Sequence, residues 1–139
     1  YILRATWQAV ARMYNEEAAK YNATMATGFA LLSIDRENGS PSTTLGPKMG
    51  MEATSLTRTL KSMEERGLIT RKKNPTDGRG VIIQLTKEGK EKRELSKETV
   101  LRFNETVKQH ISEEKLQHFM EVAEIINELI AEKKIYNDK

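Results

Sequence analysis

Apolar residues recur at helical spacing over the first twenty positions. Trp7, Val10, Ala11, Tyr14, Ala18 and Tyr21 form one stripe, and Arg12, Glu16, Glu17 and Lys20 fall outside it. This spacing predicts a helix with one buried face. Residues 22–27 are polar and interrupt it. Phe29, Leu31, Leu32 and Ile34 predict a second, short helix, closed by the turn formers Glu37-Asn38-Gly39-Ser40-Pro41. Thr43 or Thr44 stands where a third helix, running to about Met49, would be capped, and Gly50 follows as a turn residue. Glu52 stands at the cap position of the next helix, residues 53–66, whose apolar residues Leu56, Leu60 and Met63 are spaced by four and three. Gly67 comes just past its end, where glycine supplies a left-handed cap. Two short helices joined by a glycine-containing turn form a helix-turn-helix pattern.

The periodicity then changes. Leu68-Ile69-Thr70-Arg71-Lys72-Lys73 predicts a strand, Asn74-Pro75-Thr76-Asp77-Gly78-Arg79-Gly80 a turn-rich loop, and Val81-Ile82-Ile83-Gln84-Leu85-Thr86 a returning strand. A hairpin directly after a helix-turn-helix reads as a wing. Thr86 is placed to cap a long helix over residues 87–109, and Ser112 to cap a last one with acids in its first turn. The last helix carries Leu116, Phe119, Met120, Val122, Ala123, Ile125, Ile126, Leu129 and Ile130. That stripe is too wide for one neighbour. It predicts packing against its own chain on one side and a second copy on the other, hence a homodimer. The expected class is mainly α with a small β-hairpin wing (α+β). Residues 1–139 form one domain, with a winged-helix lobe at 28–86 flanked by dimerisation helices at 1–27 and 87–139.

Composition narrows the function. Hydrophobic residues make up 37% of the chain and charged residues 31%, which fits apolar surface shared with a partner copy. The absence of cysteine excludes disulfides, thiolate zinc sites and a cysteine redox switch. No apolar run approaches the roughly 18 residues of a membrane span, and Tyr1-Ile2-Leu3-Arg4 does not read as a secretory leader. The chain is expected to be cytoplasmic. Lacking an initial Met, its numbering is expected to be that of a trimmed chain. The net charge of +3 is unevenly spread: residues 1–43 are neutral, residues 44–86 carry +4 and residues 87–139 carry −1. A basic excess confined to the segment with the helix-turn-helix and wing is the electrostatic footprint expected for phosphate contacts.

The candidate chemistry lies in the same segment. Thr54, Ser55, Thr57, Arg58 and Lys61 leave a face of short hydroxyls and long cations on the second helix of the pair. Such a face suits the major groove, where hydroxyls donate to phosphates or bases and arginine reads guanine with two bonds. Arg71, Lys72 and Lys73 lie in the first wing strand, and Arg79 lies near the tip, where an arginine on a thin loop can enter the minor groove. Asp77 is placed to hold Arg79 or the loop backbone. Thr44 and Lys48 complete the candidate DNA contacts. No nucleophile–base set, phosphate loop or metal spacing is present, so neither an enzyme nor a cofactor or metal site is expected, and His110 and His118 stand isolated. The alternative is a winged helix that binds protein without reading DNA.

The run from Leu45 to Gly89 resembles the core of MarR-family regulators. The resemblance rests on Ser55-Leu56-Thr57-Arg58, the helix exit Glu65-Arg66-Gly67-Leu68-Ile69, Asp77 and Arg79 in the wing, and Leu85-Thr86 with Gly89 beyond. The flanking helices agree, so it covers nearly the whole chain. It implies a homodimer with interlocked terminal helices, bound to pseudo-palindromic promoter DNA, usually as a repressor. Ser55, Thr57 and Arg58 would face the major groove, and Arg79, supported by Asp77, the minor groove. The chain departs from the family pattern at Glu52, where Ser or Thr is common, and at Gly78 and Gly80, which loosen the wing tip. The resemblance also implies a small aromatic or phenolic effector. Trp7, Ala11, Tyr14, Met25 and Phe29 are candidate lining residues, although by pattern alone they read more readily as core and interface. The lack of cysteine argues against the family's peroxide-sensing branch.

Overall fold

The computed structural model describes residues 1–76, 78 and 80–136. The elements run α1 (Ile2–Ala19), α2 (Met25–Ser33), β1 (Ser40–Pro41), α3 (Ser42–Met49), α4 (Ala53–Glu65), β2 (Ile69–Lys73), β3 (Val81–Leu85), α5 (Lys87–His110) and α6 (Glu113–Ala131). The chain divides into two compact units between Val100 and Leu101, a point inside α5.

The first unit holds the buried core. Thr24 caps α2 by accepting from the Thr27 amide at 3.2 Å, and the Asn15 side chain accepts from the Met25 amide at 2.9 Å, fastening α2 to α1. α2 leads with Ala30, Leu31 and Ile34 into a cluster completed by Leu45 from α3, Leu56, Leu60 and Met63 from α4, and Leu68, Ile69 and Ile83 from the hairpin. The three α4 residues are those whose spacing predicted the buried face. Burying each such side chain is worth about 1.5–3 kcal/mol, so the short elements are held mainly by this shared core.

The expected hairpin is part of a three-stranded antiparallel sheet in the order β1-β3-β2. β2 and β3 pair from Ile69↔Leu85 to Lys73↔Val81, while β1 adds Ser40↔Ile83 and Pro41↔Ile82. The sequence reading placed Ser40 and Pro41 in a turn. They become an edge strand because Asp35 folds the chain back, its carboxylate accepting from the Glu37 and Asn38 amides at 3.0 and 2.7 Å. Gly39 then passes so close to β3 that a Cβ there would lie 2.6 Å from the Ile83 carbonyl oxygen, with φ at +73°. Proline is tolerated on such an edge because no ladder donor is needed.

Two expected caps are corrected. α3 starts at Ser42 with Pro41 at its cap position, so Thr43 and Thr44 lie within its first turn, and the Thr44 hydroxyl donates to the Pro41 carbonyl at 2.8 Å. Glu52 does stand at the cap position of α4, but its side chain makes no capping bond. The α4 exit follows expectation. The Leu68 amide donates to the Met63 carbonyl and the Gly67 amide to that of Glu64, the paired bonds of a Schellman motif. Thr86 then joins α4 to α5. Its hydroxyl donates to the Gly67 carbonyl at 2.6 Å and accepts from the Gly89 amide at 3.0 Å.

The terminal helices differ from this core. α1 and α6 contain no buried residue. Ile2, Leu3 and Trp7 in α1, and Phe119, Met120, Val122, Ile125 and Ile130 in α6, each remain at least half exposed. Ser112 caps α6 as expected, accepting from the Lys115 amide at 3.2 Å. Among the described residues no helix is long and apolar enough to cross a membrane.

Candidate nucleic-acid interface

Leu56, Leu60 and Met63 pin one face of α4 to the core, and Thr54, Ser55, Thr57, Arg58 and Lys61 are all exposed on the remainder. Local chemistry distinguishes them. The Thr57 hydroxyl donates to the Ala53 carbonyl at 2.8 Å, back along its own helix. Arg58 and Lys61 make no ion pair among the described residues, so their charges face solvent. The first amides of a helix lack intrahelical acceptors. With no side-chain cap from Glu52, α4 presents them unshielded beside Thr54 and Ser55. Donors, hydroxyls and the positive end of the helix dipole thus converge at one end, a combination suited to phosphate.

Two glycines set the angle between α3 and α4. Gly50 ends α3 in the left-handed conformation, with φ at 63°. Gly46 lets the turn close tightly: the Met51 amide donates to its carbonyl at 2.9 Å, and a Cβ at Gly46 would stand 3.2 Å from the Met51 oxygen.

Beyond Ile69, every residue of β2 is exposed. Lys72 and Lys73 carry their charge onto this edge strand without an ion-pair partner among the described residues, whereas the Arg71 guanidinium lies 3.3 Å from the Glu64 carboxylate and ties the strand to α4. The loop beyond is closed by the Asn74 amide donating to the Gly80 carbonyl at 3.1 Å. Inside it, the Asn74 side chain accepts from the Thr76 amide and hydroxyl. Asp77 and Arg79 lie outside the described residues. Of the two remaining candidates, the Thr44 hydroxyl is engaged with Pro41, and the Lys48 ammonium donates to the Ser33 carbonyl at 2.8 Å.

A concavity lies within the first unit, a cleft of about 660 Å³ counting its open mouth. Of the candidate lining residues, Tyr14, Met25 and Phe29 stand in its walls, with the Tyr14 and Phe29 rings edge to face at 5.9 Å. Trp7 and Ala11 are not among its walls. Burial raises the Tyr14 phenol above its ordinary pKa. Sequence reasoning missed Tyr21, Arg66, Lys92 and Leu95 as wall residues. They come from three separate segments, and no local pattern unites them. The Lys92 ammonium lies 5.9 Å from the centre of the Tyr21 ring.

A helix pair, a hairpin on an exposed edge and a basic outer face together define a winged helix-turn-helix. Residues 23–81 match the family model described as the MarR family. Over that segment the chain is similar to the MarR family. It is 33% identical over 89 residues to the organic hydroperoxide resistance transcriptional regulator of Bacillus subtilis (strain 168), covering 64% of this chain and 60% of that protein. It is 29% identical over 116 residues to the HTH-type transcriptional regulator SarZ of Staphylococcus saprophyticus, covering 80% of each. Its fold matches the PcaV transcriptional regulator from Streptomyces coelicolor, determined in complex with its natural ligand, with a TM-score of 0.78 at 20% identity over 91% of this chain and 89% of that one.

Proposed function

We propose that this protein is a sequence-specific DNA-binding transcriptional regulator without enzymatic activity. The carrying observation is the exposed face of α4, with Thr54 and Ser55 at an uncapped helix start and Arg58 and Lys61 further along, on a head that also exposes the lysines of edge strand β2. In this reading α4 enters the major groove, Ser55, Thr57 and Arg58 meet base edges or phosphates, and Lys72 and Lys73 contact the flanking backbone. Asp77 and Arg79 would serve the minor groove. The exposed apolar faces of α1 and α6 support a homodimer, because apolar surface left in contiguous stripes marks an interaction site. Two heads related by two-fold symmetry would read a pseudo-palindrome with half-sites about 34–36 Å apart, as a repressor in the cytoplasm. Selecting bound duplexes from a random pool tests recognition and spacing together. A salt titration against random duplex DNA tests the electrostatic part, since phosphate contacts impose a steep loss of affinity with salt. Binding absent at low salt, or insensitive to salt, favours a winged helix that docks on protein.

The cleft supports a second element of the reading, control by a small molecule. Its walls are mostly apolar and aromatic, and Arg66 and Lys92 set two cations against the one carboxylate of Glu17, which suits an aromatic or phenolic anion. Thermal shift against a set of aromatic carboxylates is the direct test. A rise in Tm with loss of DNA affinity for one of them is the expected result.

A further inference from the structure

We infer that Lys48 is a positioning residue that ties the helix-turn-helix to the cleft, not a phosphate contact. This inference rests on the DNA-binding reading above and changes the role of one residue in it. The Lys48 ammonium, in the last turn of α3, donates at 2.8 Å to the carbonyl of Ser33, the last residue of α2 and fifteen positions earlier. A helix leaves its final carbonyls without intrahelical donors, and they carry the negative end of its dipole. α2 has no basic residue of its own in its last turn, and the chain turns extended at Ile34. Lys48 therefore supplies from another helix the cation that α2 lacks. The Asp35 carboxylate lies close enough to feel the Lys48 charge, which helps hold it below its ordinary pKa. The ammonium thus has one acceptor and one nearby anion within its own chain. Moving it to a phosphate would give up both.

The consequence lies in what α2 does elsewhere. The same helix lines the cleft with Met25, Gly28, Phe29 and Leu32. α2 also meets α3, and Leu31 of α2 with the following Ile34 shares the core cluster with Leu45 of α3. Apolar packing is non-directional and leaves small shifts of one helix along another inexpensive. A directed bond from the end of α3 to the end of α2 removes that freedom. It fixes the helix that starts the DNA-reading pair to a helix that walls the cleft.

The test compares wild type, Lys48→Met and Lys48→Arg on one duplex DNA over a series of salt concentrations, with hydrogen exchange of the free proteins in parallel. A phosphate contact contributes about one unit to the slope of log affinity against log salt. A positioning residue contributes to affinity without contributing to the slope. The expected result is a roughly three- to tenfold loss for Lys48→Met at every salt concentration, from the loss of one charge-assisted bond on the surface. The slope stays at the wild-type value, Lys48→Arg recovers the affinity, and amide exchange speeds up over residues 30–35 in Lys48→Met. A slope shallower by about one unit overturns the inference whatever the exchange shows, and so does unchanged affinity. If wild type shows no salt-dependent binding, the DNA reading itself fails. Exchange then decides alone: acceleration over residues 30–35 upholds the tie between the helices, and unchanged exchange overturns it.

Discussion

The winged head and the terminal helices spend their apolar residues in opposite ways. In α4, thirteen residues long, three apolar side chains reach the core, at 8%, 3% and 1% exposure. In α6, nineteen residues long and richer in apolar side chains, none is buried. Both helices are amphipathic, so pattern alone does not separate them. What differs is whether the chain itself supplies a surface to cover the stripe. For α4 the partners come from α2, α3 and the hairpin. For α6, Phe119, Val122, Ile125 and Ile130 remain open, at a cost of about 25 cal/mol for each Å² of apolar surface left in water. The head is therefore complete within one chain, whereas the terminal helices are complete only with something added. The proposed homodimer is the simplest addition.

The largest expected effect breaks the head. A Cβ at Gly89 would stand 2.0 Å from the Leu68 carbonyl oxygen, well inside contact distance and against backbone that cannot swing away. Gly89→Ala should force the start of α5 off the hairpin and break the Thr86 bonds to Gly67 and Gly89. A loss of about 3 kcal/mol or more is expected, visible as a fall in Tm and in the urea midpoint. Thermal and urea midpoints at the wild-type values would show that the join between α4 and α5 carries no strain.

The next test addresses the other region. Ile125→Glu places a charge in the exposed stripe of α6, where the single chain already leaves it in water. If a second copy covers that stripe, burying an unpaired carboxylate there is prohibitive. Sedimentation at micromolar concentration should then show a monomer in place of a dimer, while the circular dichroism of the head stays unchanged. A variant that sediments like wild type removes the dimer assignment for this face.

Much of this contrast can be read from the sequence, and the gaps have physical causes. The spacing of Leu56, Leu60 and Met63, the glycine cap at Gly67 and the cap at Ser112 are local signals, and each governs its own element. β1 escaped because two residues have no period and their strand character comes wholly from pairing with β3, more than forty positions away. The caps assigned to Thr43 and Thr44 missed because chain reversal at Asp35 and Gly39 decides where α3 begins, whereas Glu52 holds its cap position without a side-chain bond. The cleft was half legible. Tyr14, Met25 and Phe29 follow from their positions, but Arg66 and Lys92 reach it only through the fold.

A smaller effect sharpens the functional side of the head. Arg58 is exposed and pairs with no carboxylate among the described residues, so removing it costs the free protein almost nothing. Arg58→Ala should keep the wild-type Tm and weaken operator binding by about 1–3 kcal/mol, with relaxed specificity. Anisotropy titrations on the selected operator check this, and unchanged affinity would rule out the proposed docking of α4.

The smallest effect concerns the turn that makes β1 possible. Amide bonds from Asn38 and Glu37, aided by the charges of Lys48 and Arg93, hold the Asp35 carboxylate below its ordinary value of 3.8. A depressed folded pKa means that the ionised form is favoured by folding. The contribution is thus fully present above the unfolded pKa and disappears as pH falls through the folded one. Asp35→Asn separates charge from geometry, because its amide oxygen can still accept both backbone bonds. The Tm gap between wild type and Asp35→Asn should be constant between about pH 5 and pH 7 and should close as pH falls below about 4. A gap that persists into acid would mean that the turn depends on the shape of the side chain and not on its charge. The head would then owe its third strand to local geometry alone.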